Sequence, residues 1–314
     1  MSEVHGSFEG EKKVSEQMPI SQRMQEMEAV MKGLFRDDYE GNDYLEAEQF
    51  NESEEKPEQE KVDLTERYEP DSKFEIGANT YETDDNGYIY KINGYELRAD
   101  CEFTVGGATY KTDGQGRVIS CDGKAVSTPE GERDTKAQTM AGGFDRMEGD
   151  QGGHILARIF GGAKGIENII AMRGTAINES VYKRMENAIG KALEAGGQVD
   201  FHADIAYDGD SKRPSKFVIT YTVDGRETVV YFDNDEGSAD LLGVLEDKID
   251  EQGYDDLKQE IQDAEDDGAE MSVVSVKEEY DKDGNVTKIS VTIRDESADH
   301  PVNEDRVYII KENS

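Results

Sequence analysis

Glycine pairs in the stretch Asp150–Glu186 constrain the fold of this chain more than any other feature, because they divide it into short elements. One pair lets the backbone turn tightly before His154, and a second pair ends the apolar run HILARIF. The run GIENIIAM follows, and NESVYKRMENAIGKALEAGG then has the apolar spacing of a helix. We therefore predict two strands and a helix, with His154 on the first strand and Asn178 at the helix start.

The predicted helix is amphipathic, and Gly196 and Gly197 mark its end. Its apolar residues recur every three or four positions, which predicts one buried stripe. The residues of this stripe are Val181, Met185, Ala188, Ile189, Ala192 and Leu193. Asn178 could cap such a helix, could bind a ligand, or could do both.

Two segments of related sequence lie upstream within residues 73–126, at a constant offset of 29 residues. They read GANTYETDDNGYIYKINGYEL and GGATYKTDGQGRVISCDGKAV. Each has alternating β-formers interrupted by a turn with glycine, which predicts a small β-hairpin. Their tyrosines could form a stacking platform for nucleic-acid bases, but ordinary packing between strands is the favoured interpretation.

Residues 1–72 are acidic and polar, and the run NESEEKPEQEKVD is typical of a disordered segment. One amphipathic helix is predicted at about residues 19–35, because its apolar residues have coiled-coil spacing. They are Ile20, Met24, Met27, Met31 and Leu34. This helix could pack on its own chain or bind a secretion or chaperone partner.

The formal net charge of the 314 residues is −37, which disfavours nucleic-acid binding by the protein as a whole. The charge is uneven, however, because residues 134–235 carry 12 Lys/Arg and 16 Asp/Glu, a net of −4. Residues 1–133 have a net charge of −17, and residues 236–314 have −16. The acid therefore lies in the flanks, where it could keep the protein soluble or restrain binding to the central segment.

Residues 236–314 predict an acidic α+β module of unknown role. Two acidic helices, interrupted at Gly253, are expected in the run SADLLGVLEDKIDEQGYDDLKQEIQDAEDDG, and three strands follow them. Cys101 and Cys121 are expected to be free thiols, since two cysteines do not make a disulfide framework. No stretch approaches the roughly 18 apolar residues of a membrane span. The start MSEVHGSFEGEKK lacks the apolar core of a signal peptide.

Four pieces of the central segment, taken in order, resemble the DNA/RNA non-specific endonucleases of the ββα-metal (His-Me finger) type. They are GGHILARIFGG, ENIIAM, INESVYKRMEN and YDGDSKRPSKFVITYTVDG, within about residues 134–234. The sequence looks most like the version found as C-terminal toxin domains of polymorphic bacterial toxins, including those exported by type VII secretion. The resemblance implies an α+β fold with a ββα-metal nuclease domain at residues 134–235.

In that family the histidine of an Asp-Arg-Gly-His motif is the general base. An asparagine opening the helix binds Mg²⁺ (or Mn²⁺), and a glutamate eight residues later orients the water of the hydrated ion. The resemblance assigns these roles to His154, Asn178 and Glu186, and it assigns a bracing role to Asn168. The motif here reads Gln-Gly-Gly-His, so the usual aspartate and arginine are absent, and Arg158 is the candidate substitute for the arginine.

These residue types suit phosphodiester hydrolysis, because neutral imidazole is a natural base near pH 7 and Mg²⁺ needs few protein ligands. A non-specific enzyme contacts phosphates rather than bases. Basic residues available for such contacts are Lys183, Arg184, Lys212, Arg213 and Lys216. His202 lies on an alternating strand and is expected to be structural, whereas His5 and His300 suggest no site.

The resemblance thus implies a metal-dependent endonuclease of DNA, RNA or both, used as a bacterial toxin. Its expected partners are the nucleic-acid substrate and an immunity protein, with no membrane partner. It would be cytoplasmic before export, leave the cell without a cleaved signal peptide, and act in a target cell. The alternative is a non-catalytic interaction protein whose acidic surface mimics nucleic acid on a relic nuclease fold. A further hypothesis places the acidic helices in a phosphate groove near Lys183, Lys212 and Arg213.

Overall fold

The computed structural model describes residues 62–129, 131–235, 240–245, 251–297 and 305–312. All of them belong to one compact unit, Gln59–Ser314. The helix expected at about residues 19–35 and most of the acidic N-terminal segment lie outside these ranges, as do His5 and His300. Among the described residues, no helix is both long and apolar enough to pass through a membrane.

The described residues form an α+β fold dominated by antiparallel sheets, which confirms the predicted fold class. Fifteen strands are present in the described ranges: β1 Lys73–Ile76, β2 Asn79–Thr83, β3 Ile89–Ile92, β4 Glu96–Leu97, β5 Glu102–Val105, β6 Ala108–Thr112, β7 Val118–Ala125, β8 Asp150–His154, β9 Ile169–Arg173, β10 Val199–Tyr207, β11 Pro214–Val223, β12 Arg226–Asp233, β13 Met271–Tyr280, β14 Val286–Asp295 and β15 Arg306–Glu312. β1 to β4 make one sheet in sequence order, and β8 and β9 make a separate ribbon. The other nine strands form a single sheet in the order β15-β14-β13-β12-β11-β10-β7-β6-β5.

Helical segments are few and short. The α-helices in the described ranges are α1 Thr135–Met140, α2 Tyr182–Glu194 and α3 Glu251–Asp266. A π-helix spans Gly174–Val181 and runs directly into α2, and 3₁₀ turns occur at Gly143–Asp145, Arg158–Phe160, Ile166–Asn168 and Asp240–Leu245. The predicted end of α2 is confirmed, because the amides of Gly196 and Gly197 bond to carbonyl oxygens of its last turn.

The two related hairpins are β2–β3 and β6–β7, and the same local contacts define both. Their turns begin at Asp84 and Asp113, and each carboxylate accepts hydrogen bonds from two backbone amides of its own turn. The preceding threonines, Thr83 and Thr112, each bond the segment before the hairpin. The hairpin prediction is confirmed, although the first copy lies in the four-stranded sheet and the second in the nine-stranded sheet.

Three tyrosines of these hairpins belong to the core, whereas Tyr88 is 44% exposed. Tyr81, Tyr90 and Tyr110 are buried, and Tyr90 and Tyr110 stack on either side of Phe103 with ring centroids 4.6 and 5.6 Å apart. Because Tyr90 lies in one sheet and Tyr110 in the other, this aromatic row holds the two sheets together. Buried rings present no face to a base, so the packing interpretation is confirmed for Tyr81, Tyr90 and Tyr110.

One face of the nine-stranded sheet carries the layer made of β8, β9, the π-helix and α2. The core between them includes Phe217 and Phe232 from the sheet, Met172 from β9, and Ile177 and Tyr182 from the helices. Each fully buried side chain of this size contributes roughly 1.5–3 kcal/mol. This layer contains the strand–strand–helix order that the sequence predicts, and apolar packing fixes it on the sheet.

The C-terminal residues extend the same sheet, since β12 pairs with β13 and β13 with β14. Tyr231 points away from its neighbours Val230 and Phe232, because successive side chains of a strand alternate between faces. Tyr231 packs against the hydrophobic cluster that includes Leu257 and Ile261 of α3, whereas Val230 and Phe232 belong to the core that includes residues of the π-helix and α2. The described acidic helices therefore lie on the opposite face from α2, and the hypothesis that they fill a groove there is wrong.

Three details of the predicted elements are also wrong. α3 continues through Gly253, because one glycine costs only about 1 kcal/mol and the packing of the helix outweighs it. HILARIF is not a strand: only His154 belongs to β8, and the run then forms a loop and a 3₁₀ turn closed by Gly161 at φ +93°. In α2, Ala188 is exposed and Tyr182 is buried in its place.

Candidate active site

His154 ends strand β8 and is half-buried beneath the loop that follows it. Its Nε2 atom is buried and has no hydrogen-bond partner within the described ranges. Burial, and then the positive charges of Arg158 and Arg133, lower the pKa of His154 to about 4. The ring is therefore neutral at pH 7, and a buried imidazole nitrogen without a partner is available for chemistry.

Asn168 fixes the loop that leaves His154. Its side chain is fully buried, and its Oδ1 accepts a hydrogen bond from the amide of Leu156 at 3.0 Å. Its Nδ2 donates to the carbonyl oxygens of Leu156 and Ala163 at 2.8 and 2.7 Å. Its own carbonyl oxygen accepts from the amide of Ile155. These four bonds hold the loop in one conformation, which is the kind of contact expected of a bracing residue.

Asn178 lies on the π-helix, beside the strand of His154. A Cβ atom placed on Gly153 would lie 2.9 Å from Asn178 Oδ1 and 2.5 Å from the sulfur of Met172. Glycine at position 153 is therefore what lets the amide approach the strand so closely. Asn178 Nδ2 donates to Gln151 Oε1 at 2.6 Å. Because the residue lies inside the π-helix and bonds Gln151, its interpretation as a helix cap is wrong.

Glu186 lies on the face of α2 that covers the loop after His154. Four residues earlier on the same face, the hydroxyl of Tyr182 donates to the carbonyl oxygen of Ile155. Glu186 receives a hydrogen bond from Lys183 at 3.4 Å. Burial raises the pKa of Glu186, and the nearby charges of Lys183 and Arg133 partly offset that effect.

Two arginines surround the imidazole. Arg158 begins the 3₁₀ turn after His154, and its guanidinium lies against Gly131, where a Cβ would be 2.7 Å from Nη2. This contact brings the segment before α1 over the site. Arg133, two residues further along that segment, is exposed and close enough to lower the pKa of both His154 and Glu186.

The absence of the motif arginine has a steric cause. Gly152 occupies that position, and a Cβ there would lie 2.5 Å from the Cα of Gln138 in α1. Gln138 also donates from its Nε2 to the carbonyl oxygen of Gly152 at 3.1 Å. α1 therefore packs directly on the backbone of β8, and no side chain fits at position 152.

Arg213 is not available to bind phosphate, contrary to the sequence prediction. Its side chain is only 5% exposed, and it donates to both carboxylate oxygens of Asp150 at 2.7 and 3.2 Å. It also donates to Asp235 at 3.0 Å and to the carbonyl oxygen of Asn234. Ion pairing and burial thus make Arg213 a structural residue that ties β8 to the sheet.

The remaining basic residues differ in their setting. Lys183 is 56% exposed on α2, near Glu186, whereas Arg184 pairs with Asp305 at 2.8 Å. Lys212 is exposed but lies against Gly143, in the loop that precedes β8. The amide of Lys212 donates to Asp145 Oδ2 at 2.8 Å, which ties Lys212 to the same loop. The structure therefore places Lys183 beside Glu186 and Lys212 beside the loop that precedes β8.

His202 lies on the opposite face of the sheet from the ββα layer. Its ring bonds Asp122 at 2.6 Å and Asp204 at 3.0 Å, and these partners, despite partial burial, raise its pKa. The expectation that His202 is structural is consistent with these two bonds. Cys101 and Cys121 are both free, as predicted.

Residues 98–225 match the family model described as DNA/RNA non-specific endonuclease. This part of the chain is a non-specific endonuclease domain of the ββα-metal type. The match extends from the second hairpin through the ββα layer to β11. It confirms the family predicted from four short pieces of sequence.

Type VII secretion system protein EssD of Staphylococcus aureus strain USA300 is 33% identical over 110 residues. The matched region covers 33% of this chain and 18% of that relative. The EssD proteins of strains NCTC 8325 / PS 47 and Newman match to the same extent. The chain thus spans about a fifth of the length of these curated relatives.

A crystal structure of NucA from Streptococcus agalactiae with magnesium ion bound is similar over 52% of this chain and 83% of that chain. The identity is 13% and the TM-score is 0.36. A TM-score this low supports no comparison between the two sites.

Sequence reasoning missed three residues that lie at the candidate site: Gln151, Tyr182 and Arg133. Gln151 stands where the motif has its aspartate, so its position alone could have identified it. Tyr182 lies three residues before Met185, so its position in the predicted apolar stripe could have identified it. Arg133 lies in a polar segment without periodicity, and only the three-dimensional contact of that segment with Arg158 reveals it.

Proposed function

We propose that the protein is a metal-dependent, non-specific endonuclease that hydrolyses phosphodiester bonds of DNA, RNA or both. The observation that carries this proposal is the neutral imidazole of His154, whose buried Nε2 has no partner within the described ranges. Asn178 lies beside its strand, and Arg158 and Arg133 supply positive charge around it. Groups suited to act as a base, as a metal ligand and as cations for a phosphate thus lie near one another in a segment that matches an endonuclease family, which supports the proposal.

The residues present suit a hydrated Mg²⁺ or Mn²⁺ ion. Asn178 Oδ1 accepts no hydrogen bond from the described residues, and the bond from Nδ2 to Gln151 fixes its amide. No group of three or more His, Cys, Asp or Glu side chains in the described ranges is placed to hold a metal. Mg²⁺ tolerates such a site because it keeps several waters. Bound to Asn178, the ion would supply positive charge to the phosphate in the transition state.

Each of the surrounding residues has a task in the proposed hydrolysis. His154 takes a proton from the attacking water as the water oxygen bonds to phosphorus. The bond between phosphorus and the leaving oxygen breaks, and that oxygen gains a proton from solvent. Glu186 orients the water, and Arg158 replaces the motif arginine in binding the phosphate charge. Asn168 keeps the loop after His154 in place.

Substrate contacts in this proposal go to phosphates, which explains the lack of sequence preference. Lys183 lies on α2 beside Glu186 and contacts a phosphate near the scissile bond. Arg184 shares its guanidinium with Asp305, so its contribution is smaller. Lys212, which lies against the loop before β8, contacts a different phosphate of the same substrate.

The setting proposed for this activity is toxicity in a target cell. Similarity to proteins named for the type VII secretion system supports export by such a route. A nuclease made in the cytoplasm would damage its producer, so an immunity protein is the proposed partner there. Growth of a heterologous host that expresses the chain, with and without His154→Ala, tests the toxicity.

Plasmid DNA and RNA incubated with Mg²⁺ test the activity itself. Wild type should cleave, a chelator should stop cleavage, and His154→Ala should lower the rate about 10²- to 10⁴-fold through loss of the base. His202→Ala is the matched control, because it removes a histidine from the other face of the sheet and should leave the rate unchanged. Chelator-insensitive cleavage, or equal rates for the two alanine variants, would contradict the proposal.

A further inference from the structure

The π-helix that carries Asn178 is held by residues that lie outside the endonuclease match. That match ends at residue 225, whereas Glu296 and Asp305 belong to the C-terminal strands and their connection. π-Helices are rare and occur frequently at functional sites. What fixes the π-helix therefore also fixes the position of Asn178.

Two acidic residues hold the π-helix in place, and Asp305 is the one with more hydrogen bonds. Its Oδ2 accepts hydrogen bonds from the hydroxyl of Ser180, inside the π-helix, and from Arg184 of α2 at 2.8 Å. Its Oδ1 accepts from Arg294 of β14 at 2.8 and 2.6 Å. The side chains of Asp305 and Arg294 are 5% and 3% exposed, so solvent screens these bonds little.

The second contact lies at the other end of the π-helix. Arg173, the residue before it, is buried and pairs with Glu296, which follows β14. Ser272 of β13 accepts from the same guanidinium and donates to Glu296 at 3.0 Å. Carboxylates that flank the C-terminal strands thus hold the chain immediately before the π-helix and near its end.

The charge state of Asp305 agrees with this geometry. Burial alone would raise its pKa, but hydrogen bonds from Ser180, Arg294 and Arg184 lower it on balance. The carboxylate is therefore ionised at neutral pH, when it accepts from all three donors. A neutral amide at this position would keep the shape but weaken bonds to two guanidinium groups.

We propose that Asp305 is a positioning residue, which acts through Ser180 and Arg184 to place Asn178 for metal binding. This assignment rests on the proposed function for its catalytic consequence, but its structural part can be tested without activity. It gives the C-terminal acidic strands a role in the endonuclease site. They complete the site, and their acid is used in part to neutralise arginines of the catalytic layer.

Hydrogen–deuterium exchange of the full chain tests the structural part. Asp305→Asn should raise the exchange rate of peptides covering residues 174–184 about tenfold, with no change in peptides covering residues 199–223. Ser180→Ala leaves the pairs of Asp305 with Arg184 and Arg294 intact, and should give a smaller change of about threefold in the same peptides. Glu260→Gln is the matched control, because it removes a carboxylate that holds β15 through Tyr308 on the opposite face.

The Mg²⁺ dependence of cleavage tests the consequence. Asp305→Asn should raise the Mg²⁺ concentration for half-maximal cleavage about tenfold, as expected for an outer-shell partner, with a smaller loss at saturating Mg²⁺. Ser180→Ala should shift it in the same direction, and Glu260→Gln should not shift it. Unchanged exchange at residues 174–184 in both Asp305→Asn and Ser180→Ala would overturn the inference, even if wild type cleaves. Failure of wild type to cleave with Mg²⁺ would instead overturn the proposed function, while the exchange data still decide the structural part.

Discussion

The two ends of strand β8 differ in whether their buried polar groups have hydrogen-bond partners. At the first residue, the Asp150 carboxylate accepts from the Met147 amide and from two nitrogens of Arg213, and its carbonyl oxygen accepts from Arg146. At the last residue, His154 has a buried nitrogen without a partner in the described ranges. The first end is satisfied and serves stability, whereas the second end is left unsatisfied and is suited to chemistry. Substitutions at the two ends should therefore fail in different ways.

The largest expected loss of stability is at the satisfied end. Arg213→Ala should destabilise the protein by about 3–5 kcal/mol, because it leaves Asp150 buried and unpaired. Urea denaturation of both proteins measures this loss. Lys212→Ala, at the exposed neighbouring position, is the control and should change stability by less than about 0.5 kcal/mol. If Arg213→Ala folded as stably as wild type but bound nucleic acid more weakly, the original phosphate-binding role would be restored.

The middle of β8 provides a third case, because its glycines allow neighbouring segments to pack closely on the strand. Gly152→Ala should cost about 1–3 kcal/mol, because the added methyl group meets the backbone of Gln138 in α1. Gly243→Ala is the control, since a Cβ there meets nothing within 4 Å. A thermal melt compares the two. A stable Gly152→Arg variant with higher activity would show that the position can still accept the motif arginine.

A substitution at Asn178, as at His154, should affect cleavage more than stability. Asn178→Ala removes one hydrogen bond to Gln151, so the stability loss should be about 1 kcal/mol or less. The Mg²⁺ concentration needed for cleavage should rise about tenfold or more. Asn187→Ala, on an exposed position of α2, provides the comparison for a simple loss of an amide. Equal Mg²⁺ requirements in the two variants would remove Asn178 from the metal site.

Local sequence patterns predicted the parts of this site that depend on near neighbours. The order of β8, β9 and the helix, the hairpins and the end of α2 follow from glycine positions and apolar spacing. The burial and ion pairing of Arg213 could not be predicted from the sequence. Its partners Asp150 and Asp235 are two of many acidic residues, and no pattern distinguishes them. The same holds for Asp305, whose role depends on β13 to β15 joining the nine-stranded sheet. Long-range pairing of charges leaves no periodic signal.

The change of cleavage rate with pH over the neutral range is the smallest expected effect. It directly tests the protonation state of His154. Because the pKa of His154 is lowered to about 4, the ring stays neutral from pH 7 down to pH 5, and its protonation should change the rate less than about twofold there. Below about pH 4 the rate should fall roughly tenfold per pH unit.

The same titration affects stability, because the unfolded chain takes up a proton on His154 near the ordinary pKa of about 6.5. Stability from the neutral ring is therefore fully present above that value and is lost as the pH falls from there to about 4. His154→Ala should lose less stability than wild type across that interval, as measured by denaturation at several pH values. A rate limb near pH 6.5, together with equal acid sensitivity of the two proteins, would show that the imidazole is solvated like an ordinary surface histidine.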